Sequence, residues 1–311
     1  MNSSFTLQTP VAMIVFNRPE TTEKVFAEVR KARPPKLLLV ADGARANRPE
    51  EAERCDAARR VVLDNVDWEC EVLTNIAPQN LGCRGRVSSG LDWVFSTVEE
   101  AIILEDDCLP HPTFFRYCQE LLERYRNDER IGIISAANFR IKRETRYSYY
   151  FSRIHPITGW ASWRRVWQHY DLEMKRFPEV RDNGLLAEML GDDFSVRYWT
   201  KIFQSAFEGK ESTWDYQFTF AVWLQHMLGV IPNANLITNI GFGEEATHIT
   251  DSDHPTANVP TEEMLFPMKH PPYVVRETSF ERYVQDYLLK WSLGYRVKRK
   301  LKNLLKNSPR H

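Results

Sequence analysis

No stretch of the 311 residues approaches the ~18 consecutive apolar residues that cross a bilayer, and the N-terminus, MNSSFTLQTP, has no basic segment leading into an apolar one. The expectation is a chain neither exported by such a leader nor integral to a membrane. Cysteine is scarce and odd in number. Cys55, Cys70, Cys83, Cys108 and Cys118 show no CxxC spacing, which excludes a disulfide framework and a zinc motif and fits a reducing cytosol. Neither sign of charge dominates, 41 Lys and Arg standing against 42 Asp and Glu, so there is no general drive toward nucleic acid. Two phosphate-binding signatures are missing as well. The glycines at 82, 85 and 90 do not make GxGxxG, and GxxxxGK[ST] occurs nowhere. Any phosphate must therefore be held by other means.

What is present begins with alternation. Residues 11–16 (VAMIVF) read as a buried strand running into Asn17-Arg18-Pro19, with Pro19 at the first turn of a helix that turns Val25, Phe26 and Val29 inward. Pro34 and Pro35 stop it. Residues 37–40 (LLLV) form a second strand ending in Ala41-Asp42-Gly43, a helix carries Ala57, Val61 and Val62, and residues 70–73 make a third strand. The loop Asn80-Leu81-Gly82-Cys83-Arg84-Gly85-Arg86 precedes a helix with Leu91, Val94, Phe95 and Val98 on one side. A fourth strand lies in AIILEDDCLPHP, residues 101–112. Strands alternating with helices imply an α/β fold with a mostly parallel, doubly wound sheet and right-handed crossovers.

That fourth strand is the centre of the functional reading. Ile102, Ile103 and Leu104 are a continuous aliphatic run, and Glu105, Asp106 and Asp107 fall at its carboxyl end. Ligands of open α/β sheets bind at that edge, and adjacent carboxylates there can hold a hard divalent cation that neutralises a diphosphate, helped by Arg84 or Arg86. Beyond residue 112 come a helix at 114–125, a strand at 131–135, an added strand at 147–151, and the aromatic turn Ile157-Thr158-Gly159-Trp160-Ala161-Ser162-Trp163 entering a helix. Trp214-Asp215-Tyr216-Gln217 opens another apolar helix. Strand-like runs at 230–232 and 236–238 lead to Gly241-Phe242-Gly243 and Ala246-Thr247-His248.

The order of these pieces resembles the GT-A (Rossmann-like) fold of nucleotide-sugar glycosyltransferases, in the branch containing N-acetylglucosaminyltransferase I with bacterial family 2-like enzymes nearby. The resemblance rests on a strand ending in Asn-Arg, one ending in Asp-Gly, the Asn-Leu-Gly loop, the Glu-Asp-Asp strand, and the later Gly-Trp, Trp-Asp and His. It covers roughly residues 10–250. It implies one domain over residues 1–285, with a nucleotide-sugar-binding half at about 10–140 and a helical, aromatic acceptor-side half at 141–285. Asp107 is then the metal ligand for Mn²⁺ or Mg²⁺, Asp106 faces the ribose or sugar of the donor, and Glu105 supports them. Asp42 and Arg18 take the nucleobase end, and either Arg84 or Arg86 a phosphate or base. Asp215 is the general base, Trp160 and Trp214 lie on the acceptor side, and His248 stands near the metal. Other readings remain beside these: Asp-Gly as a turn, Arg18 as a surface ion pair, the tryptophans as core, and Asp215 as a helix cap.

The activity so implied is metal-dependent, inverting transfer of a sugar from a UDP-sugar to a glycan or glycolipid hydroxyl, by a hexosyl- or N-acetylhexosaminyltransferase of bacterial surface polysaccharide assembly. Without a membrane stem the setting expected is cytoplasmic. Lys290 to His311 carries eight Lys or Arg and no acid, with Val297, Leu301, Leu304 and Leu305 at helical spacing. The segment 286–311 therefore reads as a basic amphipathic helix in peripheral contact with an anionic membrane at its inner face, or as a solvated end. Two further functions use the same carboxylates or none. One is a metal-dependent phosphohydrolase or nucleotidyltransferase; the other is a non-catalytic binding module, against which the retention of Asp107 and Asp215 speaks.

Overall fold

The computed structural model of the chain describes residues 5–138, 145–241 and 258–286. Strand β1 (Val11–Val15) is buried throughout, as its unbroken apolar run requires. Helix α1 (Pro19–Ala32) turns Thr22, Val25, Phe26 and Val29 inward and stops at Arg33, whose left-handed backbone (φ 52°) lets its N–H bond the Val29 carbonyl at 3.0 Å. There follow β2 (Lys36–Ala41), α2 (Glu51–Leu63), β3 (Glu71–Ile76), α3 (Gly82–Thr97) and β4 (Glu100–Glu105). Beyond the acids lie β5 (Cys108–Pro110), α4 (Phe114–Tyr125), β6 (Ile131–Ser135), β7 (Tyr149–Ser152) and β8 (Trp160–Trp163). The chain continues through α5 (Arg164–Trp167), α6 (Phe177–Asp182), α7 (Leu185–Leu190), α8 (Asp193–Phe207), α9 (Asp215–Leu224), β9 (Leu228–Pro232) and β10 (Ile237–Asn239). Residues 278–286 are helical.

Eight strands form one sheet in the order β3-β2-β1-β4-β8-β6-β9-β7, and β5 and β10 form a separate antiparallel ribbon. The pairs β2–β3, β1–β2, β1–β4 and β6–β9 are parallel, while β8 runs antiparallel to both β4 and β6, and β7 to β9. This is a Rossmann-like α/β architecture, its mostly parallel sheet flanked by helices. The chain leaves β1 toward β2 and β3, then returns to place β4 on the other side of β1. The strand order therefore reverses between β1 and β4, and a crevice opens outside their carboxyl ends.

The aromatic turn expected at 157–163 is corrected. Gly159 turns with φ 56°, and residues 160–163 then form β8 inside the main sheet, with Ile103 opposite Trp160 and Ile134 opposite Ala161. An aromatic on a strand flanked on both sides is burying a large apolar surface, which outweighs any exposed use of the ring. Trp160 is 1% exposed and Trp214, which opens α9, 3%. Their rings stack at 5.8 Å between centroids. Of the two readings of these residues, the structure realises the core.

Candidate active site

A cavity of about 300 Å³ lies at the reversal point, lined by the end of β1 (Ile14, Val15) and the following Phe16, by Glu105, Asp106 and Asp107 at the end of β4, and by the first turns of α3. Such a volume is at the lower end for a small-molecule site. The acids sit where the chain leaves the sheet for the ribbon. Glu105 is the last residue of β4, opposite Ile14, and Cys108 opens β5, opposite Asn239 of β10. The Asp107 carbonyl accepts from the Ile240 N–H at 2.9 Å. A Cβ at Gly241 would stand 2.2 Å from Asp107 Oδ2 and 2.7 Å from its Cβ, so only glycine admits the backbone this close to the carboxylate.

Charge is concentrated here. Asp106 Oδ2 accepts from the Phe16 N–H at 3.1 Å, and Arg18 Nη1 donates to Asp107 Oδ2 at 3.0 Å while standing 3.8 Å from Asp106 Oδ1. Burial pushes the Glu105 carboxyl well above the usual range, and the neighbouring charges of Asp107, Asp106 and Asp215 add to this against Arg18. Asp106 moves the same way through burial and Asp107, opposed by Arg18 and the Phe16 amide. Cys83, on the same cavity wall, is pushed up to about 12 by burial and then by Glu105 and Asp215, and so stays a thiol.

Asp42, at the end of β2, organises the opposite wall. Its Oδ1 accepts from the Gly43 and Leu81 N–H groups at 2.9 Å each, and its Oδ2 from Asn80 Nδ2 at 2.9 Å. It thus holds from a neighbouring strand the N-terminus of α3, whose own Leu81 supplies no side-chain cap. Burial raises the Asp42 carboxyl, with those N–H groups and Arg86 opposing. Arg86 lines the cavity and donates through Nη2 to the Asn75 carbonyl at 2.5 Å and Asn75 Oδ1 at 2.7 Å; burial lowers its pKa. Arg84 turns away, donating to the Leu172 carbonyl at 2.9 Å. The choice between the two arginines thus falls on Arg86 as the cavity residue.

Arg45 was not anticipated. It lines the cavity, lies over the Phe16 ring at 5.5 Å and is anchored by Glu51, which its Nε meets at 2.9 Å. Its signal lay only in an arginine following Asp-Gly. Asp215 begins α9, its Oδ1 accepting from Thr213 Oγ1 at 2.5 Å and from the Tyr216 N–H at 3.0 Å. It is not among the cavity-lining residues, although its charge reaches Glu105 and Cys83. Trp160 and Trp214 do not line the cavity either. His248 and the basic segment after residue 286 lie outside the described residues.

A divalent cation fits one part of this donor set. Among the described residues no three or more His, Cys, Asp or Glu side chains converge as a metal cage. Asp106 and Asp107, crowded beside Glu105 and facing the cavity, match the mode of Mg²⁺, which takes one or two carboxylates and completes its shell with substrate phosphates and water. Repulsion within the crowded triplet is what such a cation would relieve.

No family profile matches the chain, and no curated protein matches it in sequence. Many solved structures are similar, three of them as follows. An inositol-1-phosphate CTP transferase from T. maritima is 12% identical with a TM-score of 0.38, covering 75% of this chain and 90% of its own. A 4-diphosphocytidyl-2C-methyl-D-erythritol synthase from Anaerococcus prevotii (9%, TM-score 0.31, covering 52% and 74%) and a UDP-glucose pyrophosphorylase complexed with UDP-glucose (8%, 0.29, covering 52% and 79%) follow. These neighbours are nucleotidyltransferases and not glycosyltransferases. On that finding the expectation of a hexosyl- or N-acetylhexosaminyltransferase is corrected. Among the described residues no helix is long and apolar enough to cross a membrane.

Proposed function

We propose that this chain is a metal-dependent nucleotidyltransferase, joining the nucleoside monophosphate of a nucleoside triphosphate to a phosphorylated small molecule with release of pyrophosphate. The observation that carries the reading is one cavity at the strand reversal, lined by three adjacent carboxylates together with Arg18, Arg45 and Arg86. Acids to engage a hard cation and guanidinium groups for phosphate oxygens are the complement of a polyphosphate.

In this transfer an acceptor phosphate oxygen attacks the α-phosphorus, a new P–O bond forms, and the bond to the departing pyrophosphate breaks. The acceptor phosphate is already ionised near pH 7, so no general base is required. That suits a cavity in which Asp42, among the described residues the one carboxylate lining it apart from the triplet, is spent on holding the Asn80–Leu81 loop. A bound Mg²⁺ or Mn²⁺ would supply charge neutralisation at the phosphates, held by Asp107 and Asp106. Arg86, on the first turns of α3, stands where the positive end of that helix favours the triphosphate, and Arg18 keeps the two aspartates in place. Phe16, with Arg45 over its ring, offers a flat apolar surface to a base.

The test is a panel of nucleoside triphosphates crossed with sugar and alditol 1-phosphates, followed by pyrophosphate release in Mg²⁺. Turnover with at least one pair is expected, and Asp107→Asn should lower it by on the order of 10²- to 10³-fold. Sugar-nucleotide binding or cleavage to free nucleoside diphosphate, with no pyrophosphate formed from any pair, would overturn the reading.

A further inference from the structure

A second cavity, of about 140 Å³, lies between the end of β7, the α7–α8 turn and the helical residues 278–286. Its walls carry three guanidinium groups, on Arg153, Arg276 and Arg282, and two carboxylates, on Asp192 and Glu281. The carboxylates are already committed. Asp192 Oδ1 caps α8 by accepting from the Ser195 N–H at 2.8 Å. Buried Glu281 accepts from Arg276 Nε and from the Arg153 backbone N–H, at 2.7 Å each, and from Ser152 Oγ at 3.3 Å. Glu281 thus neutralises Arg276, and the three guanidinium groups against two carboxylates leave the walls with one positive charge in excess.

Arg153 is the unusual member. Its guanidinium lies over the Trp223 ring at 5.8 Å, Trp223 Nε1 donates to its carbonyl at 2.9 Å, and its Nη1 is buried with no hydrogen-bond partner among the described residues. Burial, and then the charge of Arg276, lowers its pKa to about 10 against the pull of Glu281. A buried donor on a charged group without an acceptor costs free energy, and an anion in the cavity that Arg153 lines would offset the part of that cost due to the charge. Thr278 and Gln285 add neutral hydrogen-bonding groups to the same walls.

We infer that this cavity is a second anion site, taking a phosphate group between Arg153 and Arg282. It is too small for a nucleotide and suited to a single phosphate, and it is built from residues that do not line the cavity at the strand reversal. The same chemistry is offered by inorganic phosphate and by the exposed phosphomonoester of a phosphatidate headgroup. Charge-assisted bonds from two guanidinium groups are the means of recognition in either case.

The experiment uses the full-length protein. Calorimetric titration with inorganic phosphate is run on the native chain, Arg153→Gln, Arg282→Gln and, as a control for the first cavity, Arg86→Met. In parallel, flotation is measured with phosphatidylcholine vesicles with and without phosphatidate. Free phosphate as the ligand gives saturable uptake that weakens by about tenfold or more in Arg153→Gln and Arg282→Gln and persists in Arg86→Met. A headgroup as the ligand gives phosphatidate-dependent flotation that Arg282→Gln reduces by a similar factor. Arg282 is exposed, so its substitution tests the site even if Arg153→Gln does not fold. Absence of both signals, or signals indifferent to both substitutions, would overturn the inference.

Discussion

At the scale of single residues, the site is decided by contacts too close for substitution. Gly241 is the clearest, because any side chain there must displace the Asp107 carboxylate that its backbone covers. Gly241→Ala is expected to leave the fold intact by circular dichroism and to lower the proposed nucleotidyl transfer by on the order of 10²-fold, since a shift of about 1 Å in a group that positions the reactants has that effect. Native-like turnover in the alanine variant would show that the carboxylate's position is not critical. Arg84 and Arg86 illustrate how much a helix period could have told. Cys83, Arg86, Val87 and Gly90 share one stripe of α3, and a Cβ at Gly90 would meet Val40 of β2 at 2.4 Å, so the stripe faces the sheet. Arg84 falls off it. Arg18 gave no such hint, because its partner Asp107 is 89 positions away in the chain.

At the scale of elements, Asp42 and β8 do the organising. Asp42 connects β2 to the N-terminus of α3 through two hydrogen bonds, from Asn80 and Leu81, so Asp42→Ala is expected to destabilise the protein by about 1–2 kcal/mol and to loosen the Asn80–Leu81 loop. Urea unfolding measures the first effect and amide exchange at Leu81 the second; unchanged exchange there would separate Asp42 from the loop. Strand β8 carries Trp160 between β4 and α9, with rings of Trp214 and Phe218 at 5.8 and 5.2 Å. Trp160→Ala removes one of the largest buried side chains and should cost about 3–5 kcal/mol, read from the shift in urea midpoint. A cost below about 1 kcal/mol would contradict its core role. The strand was read as a turn because Gly159 and three polar or small neighbours mask a run of only four residues, and its partners lie in distant segments.

For the whole molecule, stability should depend on pH through a histidine outside the site. His155 is buried against the backbone of Gly229, and burial pushes its pKa down to about 4 from 6.5, with the Arg153 backbone opposing. The unfolded chain takes up a proton as pH falls through about 6.5, whereas the folded chain does so only near 4. Its contribution is therefore complete above 6.5 and is lost progressively down to about pH 4. At pH 5 the loss is about 2 kcal/mol relative to pH 7.5, from 1.36 kcal/mol per pH unit. Denaturant titrations at the two pH values check it, and His155→Gln should remove that share of the difference. An identical pH dependence in the variant would assign the effect to other groups.

What the sequence determined by itself was the local register of burial. The unbroken apolar runs of β1, β2 and β4 specify strands covered on both faces, α4 and β6 begin and end where their periodicity does, and the acids necessarily follow the β4 run. The location of the site followed, since alternating strands and helices bring the carboxyl ends of β1, β2 and β4 to one edge. Tertiary structure alone decided the rest: that β8 inserts antiparallel between β4 and β6, that β10 crosses back to lay Gly241 on Asp107, that Arg86 and Arg45 face the cavity while Asp215 is set back from it, and that Arg153 Nη1 meets no acceptor among the described residues. The reason is physical. Periodicity reports how one segment divides between core and solvent, whereas strand order and side-chain pairing depend on free energies shared by segments far apart in the chain, and neither segment carries them alone.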